Sequence, residues 1–185
     1  MKISRNSYQI NRFPSGDSAQ LVPLDECFLS SDILIGDVVT VCNEEAVYNI
    51  LFERMLGGNP YERSNAEWWF GWSRDGWMSG THSVWALMKD DHIFGAINLK
   101  NIEGTTAEVG YWCSAKEPGY MTNTLNQVLE IAREAGFKTI YAWVRPGNER
   151  SGKVLLRSGF EFKGRRPYES TAFPDPEAEY YEIQI

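Results

Sequence analysis

The sequence predicts an α/β fold: a mixed, mostly antiparallel sheet flanked by helices. Three observations carry that expectation. Apolar residues recur at helical spacing from Ser31 to Leu56. The middle of the chain then switches to strand-like runs, "SVWALMK", "IFGAINLK" and "AEVGYWC". The last third alternates helical and extended patterns up to the terminal "AEYYEIQI". Periods of about 3.6 and 2 residues distinguish one buried helix stripe from one buried strand face.

Taken in order, residues 1–24 read as irregular, with turn signals at "FPSGDS" and an apolar "LVPL". In the first helical stretch Val38, Val39, Val47, Ile50, Leu51 and Met55 form the apolar set, Gly36 and Asn43 are candidate breaks, and "GGNP" ends it. A second helix is expected from about Asn65 to Arg74, capped by Asn65 or Ser64. The first two strand-like runs flank "DDH" and predict an antiparallel hairpin, with "NIEGTT" as the next turn. From Tyr120 to about Ala135, Leu125, Val128, Leu129 and Ala132 make one stripe, and Gly136 stands where a left-handed C-terminal residue belongs. "KTIYAWVR" alternates as a strand. Asn148 can cap a short helix to Arg157, ended by Gly159. "FEFKG" reads as a strand, "RRPYESTAFPDPE" as a loop, and "AEYYEIQI" as the closing strand.

Composition narrows the function classes. At 185 residues with 43% hydrophobic and 23% charged side chains, the chain reads as a single domain with a real core. No run approaches the roughly 18 apolar residues of a membrane span, and "MKISRNSYQINRF" is not a secretory leader, so no membrane partner and a cytoplasmic location are expected. Three unpaired cysteines (Cys27, Cys42, Cys113) suit a reducing compartment and give no metal-ligand spacing, so no metal is expected. A net charge of −7 argues against a nucleic-acid partner. Within that acidic chain, eight of the eighteen Lys and Arg residues fall between Lys138 and Arg166, against two carboxylates, Glu149 and Glu161. This is either a solvated face or a place for a polyanion.

The stretch "KEPGYMTNTL" joins a strand end to the longest helix. Unpaired N–H groups at such a junction, with the helix dipole behind them, attract anions. Gly119 removes a Cβ where a phosphate would approach, and Lys116 adds a charge. A plain Pro-Gly turn explains the same residues.

"EVGYWC", the glycine-containing turn, "GYMTNTL", a helix, a strand and "PGNERSGKVLLRSGFEFKG" together resemble the GNAT superfamily of acyl-CoA N-acyltransferases, in particular its ribosomal-protein N-terminal acetyltransferases. The likeness is carried by residues 80–185 and by the helix layout before them. It implies one GNAT-like domain over 1–185, with acceptor-side helices in 1–80 and the sheet and acyl-CoA core in 81–185. It further implies transfer of an acetyl group from acetyl-CoA to a small-molecule amine or a protein N-terminus in a ternary complex, by a monomer or homodimer.

Carried over residue by residue, the resemblance places pantetheine along Trp112, Cys113 and Ser114. It places the diphosphate at Lys116, Gly119, Tyr120 and Met121, and the cofactor's remaining contacts at Asn148 and Lys153, with Arg157 nearby. Glu108 is the candidate general base or ammonium holder, with Glu179 and Glu182 as alternates. Ser151 is the candidate proton donor to the leaving thiol. An ion-paired strand glutamate and a helix cap explain Glu108 and Asn148 equally. Leu155 stands where other branches carry a tyrosine acid. The family's loop usually reads Arg/Gln-x-x-Gly-x-Gly/Ala. Here Gly119 alone matches, Glu117 replaces the first glycine, Ser114 replaces Arg/Gln, and the loop is two residues short. Like-charge repulsion at Glu117 weakens diphosphate binding, so a catalytically inactive binding or regulatory protein on the same fold is the alternative. His82 and His92 fall at a strand start and in a hairpin turn. Trp68, Trp69, Trp72 and Trp77 read as core or as an aromatic wall beside the acceptor.

Overall fold

The computed structural model describes residues 2–168 and 176–185. Among the described residues, one sheet of eight strands runs in the order β1-β2-β3-β4-β5-β6-β8-β7. Its strands are β1 (Tyr8–Asn11), β2 (Ser18–Pro23), β3 (Ser83–Lys89), β4 (His92–Glu103), β5 (Thr106–Cys113), β6 (Thr139–Val144), β7 (Glu161–Pro167) and β8 (Glu177–Gln184). Every neighbouring pair is antiparallel except β5–β6, which is parallel. The helices are α1 (Asp32–Cys42), α2 (Glu45–Leu51), α3 (Arg63–Ser79), α4 (Met121–Ala135) and α5 (Glu149–Arg157). Among the described residues no helix is long and apolar enough to cross a membrane.

Alternation along the central strands assigns the helices to two faces. On β3, Trp85 and Leu87 join one core with Leu125, Val128, Leu129 and Ala132 of α4. Val84 and Ala86 point the other way, into a core with Leu34, Ile35 and Val38 of α1 and Ala66, Trp69 and Phe70 of α3. The same rule on β5 sends Ala107 and Val109 toward α4 and turns Glu108, Gly110 and Trp112 to the α1–α3 face.

The N-terminal segment corrects an expectation. Residues 1–24 are not irregular: they hold a hairpin, with Tyr8↔Leu21 and Ile10↔Ala19 in register. Ala19, Leu21 and Pro23 are buried and their neighbours largely are not, a two-residue period obscured by the turn residues before it and by Pro23. Asn43, not Gly36, separates α1 from α2: its amide donates to the Val39 and Tyr61 carbonyls and its oxygen accepts the Tyr61 N–H. The next helix starts earlier and ends later than its apolar stripe suggests. Glu62, not Asn65 or Ser64, is its cap, with Asn65 completing a capping box. The helix continues to Ser79, carrying Trp77 into the core. Elsewhere the expected elements are present, although β7 continues through Arg165 and Arg166 to Pro167. The rest of the expected loop after it, residues 169–175, lies outside the described residues.

Candidate active site

The site begins where two strands part. β5 and β6 pair at Thr106↔Thr139, Ala107↔Ile140 and Glu108↔Tyr141, and the pairing stops there. β6 stays bonded to β8 as far as Val144↔Glu179, so it is carried away with β8 while β5 follows β4. A window results in the sheet, bounded by Val109–Cys113 on one side and Ala142–Val144 on the other. Backbone N–H and C=O groups along such an edge need partners, and a bound extended ligand can supply them. Two cavities meet at the window. One, of about 370 Å³, lies on the α1–α3 face. The other, of about 210 Å³, lies between α2, the end of β5, Met121 and α5. Tyr111, Trp112, Asn148 and Ser151 line both.

Glu108 sits on the last paired rung and lines the larger cleft. It is 5% exposed, with Lys100 Nζ 3.1 Å from Oε1 and Asn101 Nδ2 donating to Oε2 at 2.7 Å. The ion-paired glutamate and the cleft-facing carboxylate are therefore the same residue. Beside it, Asn98 lies across from Gly110, whose absent Cβ would stand 3.2 Å from Asn98 Oδ1. That oxygen is buried without a hydrogen-bond partner and Asn98 lines the cleft. Sequence reasoning missed Asn98. Its polar side chain in an apolar strand run, opposite a glycine, was the available signal. Glu179 and Glu182, the alternates, accept from the Tyr181 and Tyr180 hydroxyls and line neither cavity.

On the other side of the window, Ser151 Oγ is 2.9 Å from the Tyr111 hydroxyl, which also reaches the Ser151 carbonyl at 3.1 Å. Burial pushes the Tyr111 phenol well above its usual range, opposed by the Ser151 hydrogen bond and reinforced by Tyr181, so Tyr111 stays protonated. Asn148 caps α5, accepting the Ser151 N–H at 3.2 Å, and faces both cavities. Lys153 does not join them: its ammonium meets Glu149 at 3.0 Å, one helical turn away on the solvent side. Arg157 is likewise outside. Among the described residues, the basic side chain that lines the smaller cavity is Arg150, invisible to a motif match because nothing in the sequence shows which side of a nine-residue helix faces inward. Burial pushes the Cys113 thiol up to about 12, Arg150 opposes this, and Glu117 and Glu44 add to it.

The turn after β5 is already occupied. Glu44, at the start of α2, accepts the Ala115 N–H and the Ser114 hydroxyl, both at 2.7 Å. Lys116 Nζ is 3.9 Å from the same carboxylate. Gly119 has φ +97°, and a Cβ there would stand 2.4 Å from the Phe13 carbonyl oxygen. Phe13 N–H donates to the Gly119 carbonyl and Arg12 Nε to that of Pro118. The glycine accommodates the β1–β2 turn. Tyr120 is buried beneath Arg12, and Met121 lines the smaller cavity.

The tryptophans divide. Trp69 and Trp77 are core, while Trp68 and Trp72 stack at 6.2 Å and, with Trp69, Trp112 and Trp143, line the larger cleft. His82 lies behind Trp72, and His92 pairs with Asp37 at the β3–β4 turn. Neither histidine lines a cavity of the window.

Residues 34–161 match a family model described as an acetyltransferase (GNAT) domain. No curated protein matches by sequence. Among solved structures, the ribosomal alpha-N-protein acetyltransferase RimL in complex with coenzyme A superposes at TM-score 0.73 and 14% identity, over 96% of this chain and 98% of that one. RimJ of Mycobacterium smegmatis in complex with CoA-disulfide gives 0.70 and 17%, over 97% and 88%. The microcin C7 self-immunity acetyltransferase MccE, in complex with acetyl-CoA and AMP, gives 0.72 and 18%, over 90% and 92%. Identities this low speak to a shared fold.

Proposed function

The chain belongs to the GNAT acetyltransferase domain family, and from that premise we propose that it moves an acetyl group from acetyl-CoA to a primary amine in a ternary complex. The observation that carries this reading is the window that opens after Glu108↔Tyr141, with a carboxylate on one face and a protonated hydroxyl pair on the other. An acyl-pantetheine arm fits the smaller cavity and the open edge of β5. Acetyl-CoA supplies the activated thioester and its thiol leaving group.

The chain's own residues divide the remaining work. Backbone N–H groups of Val109–Cys113 orient and polarise a carbonyl laid along them. Glu108, fixed by Lys100 and Asn101, takes the ammonium proton directly or through a water. Ser151 Oγ holds the proton on the thiol side, with the Tyr111 phenol behind it. Val47, Ile50 and Leu51 of α2 form an apolar wall of the smaller cavity.

Isothermal titration with acetyl-CoA, followed by thiol release with a panel of amines, tests the proposal. Glu108→Gln and Ser151→Ala are each expected to lower turnover by about 100-fold while leaving acetyl-CoA affinity unchanged. Unchanged turnover would remove the assigned roles.

A second reading rests on Glu44. Its carboxylate already holds the Ser114 hydroxyl and the Ala115 amide, at the start of the turn whose later residues the resemblance assigns to diphosphate, so the fold could serve as an inactive binding or regulatory protein. Absence of acetyl-CoA binding at near-millimolar concentration would favour that reading over the enzyme.

A further inference from the structure

Resting on the acetyltransferase reading, we propose that Tyr111 is a positioning residue for departure of the thiol: its phenol turns the Ser151 hydroxyl so that the serine hydrogen points into the window. Among the described residues, Tyr111 and Ser151 are the hydroxyl-bearing side chains that line both cavities. A serine hydroxyl is a rotor with one donor hydrogen and two acceptor lone pairs. In the first turn of α5 the Ser151 backbone is fixed, its N–H held by Asn148 Oδ1 at 3.2 Å, but that bond does not aim the side-chain hydrogen. Left alone, a helical serine turns its hydrogen to a nearby backbone carbonyl as readily as to a ligand.

Tyr111 removes that freedom. Its phenol oxygen lies 2.9 Å from Ser151 Oγ and 3.1 Å from the Ser151 carbonyl oxygen. Burial keeps the phenol protonated, so it has one hydrogen to give, and both oxygens of Ser151 are within its reach. Given to the carbonyl, that hydrogen leaves the serine free to donate back to the phenol. Given to Oγ, it excludes the serine hydrogen from that side and sends it towards the cavities. Negative charge developing on a sulfur at the window favours the second arrangement, in which each hydroxyl polarises the next. As the C–S bond breaks, its electron pair goes to sulfur. Ser151 gives sulfur its proton and is resupplied, through water, with the proton the amine loses, while Tyr111 keeps its own.

Both hydroxyls are carried on elements held from behind. Tyr111 stands on β5 opposite Ile97. Gly152, the residue after Ser151, brings α5 so close to β8 that a Cβ there would stand 2.8 Å from the Tyr181 hydroxyl, which itself donates to Glu179. Arg150 is the rival, because it too lines the smaller cavity. Its guanidinium offers a departing sulfur charge but no proton.

The test uses the full chain with acetyl-CoA, following thiol release with propylamine, spermidine and a short peptide bearing a free N-terminus. Tyr111→Phe is expected to lower kcat about tenfold, the worth of one hydrogen bond, with acetyl-CoA affinity unchanged by titration. Ser151→Ala costs about 100-fold, and adding Tyr111→Phe to it should cost nothing more. Two side chains acting independently would together cost about 1,000-fold. A phenol that merely packs would lower kcat alike in both backgrounds, and that result would overturn the proposal. So would an unchanged kcat in Tyr111→Phe; a large loss in Arg150→Gln would then assign the sulfur to the guanidinium. If the natural protein binds no acetyl-CoA and releases no thiol with any of the three acceptors, the acetyltransferase reading falls and the positioning role with it. If it turns over and the losses of the two variants multiply, the positioning role falls alone.

Discussion

His82 lies flat against Trp72, ring centroids 3.9 Å apart, with Nε2 2.9 Å from the Trp72 carbonyl and Nδ1 3.0 Å from Thr81 Oγ1. Gly76 permits this, since a Cβ there would stand 2.2 Å from the imidazole. The network fits a neutral ring with its proton on Nε2, donating to the carbonyl, and the threonine hydroxyl donating to Nδ1. Desolvation lowers the His82 pKa below 6.5, opposed by the Trp72 hydrogen bond and by Asp75. The sign follows: the unfolded chain takes up the proton first, so stability is full above about pH 6.5 and is lost as pH falls through the lowered folded value. His82→Gln removes that titration. The melting-temperature advantage of the natural protein over this variant is therefore expected to shrink between pH 7 and pH 5. A pH-independent difference would show that the ring is held by stacking alone.

At the scale of elements, the junction between β5 and α4 shows what a sequence can and cannot disclose. Its place and its glycine are legible, because a period-2 run gives way to a period-3.6 stripe across Pro118 and Gly119. Its environment is not, because the groups that fill it come from residues 11–13 and from Glu44, segments remote in the chain. The β1–β2 hairpin shows the same limit from the other side. A short strand that follows turn residues and ends in a proline reads as coil until its partner, β3, is seen to complete the pairing Leu21↔Leu87. Gly119→Ala tests which role the glycine serves. Its positive φ costs an L-residue about 1–2 kcal/mol, and the Phe13 carbonyl oxygen, held close by the Phe13 N–H bond to the Gly119 carbonyl, stands in the way. A loss of about 2 kcal/mol or more in urea unfolding is expected. Unchanged stability with weakened acetyl-CoA binding would instead return the glycine to a phosphate-approach role.

For the whole molecule, the window joins two faces of the sheet that the sequence describes separately. Alternation along β6 separates Trp143 from Ile140 and Ala142, but neither its pairing with β5 nor the point at which that parallel pairing stops has a local signature. It depends on β6 following β8, a strand that is the last in the chain. Glu44 then ties the helical layer to the sheet across 70 residues, from the start of α2 to Ser114. That tie makes a testable conflict, because the carboxylate competes with any anion for the Ala115 amide. Glu44→Gln keeps the shape and removes the charge. Loss of two charge-assisted hydrogen bonds is expected to cost about 1.5–3 kcal/mol in unfolding experiments. Relief of like-charge repulsion is expected to tighten acetyl-CoA about tenfold at low salt, with a smaller gain at 0.15 M ionic strength, where charges are screened beyond roughly 8 Å. Titration with dephosphorylated pantetheine, which carries no diphosphate, should show no gain. If acetyl-CoA binds more weakly to the variant, Glu44 shapes the turn for the ligand instead of standing in for it, and α2 must be positioned by this bond before the cofactor can enter.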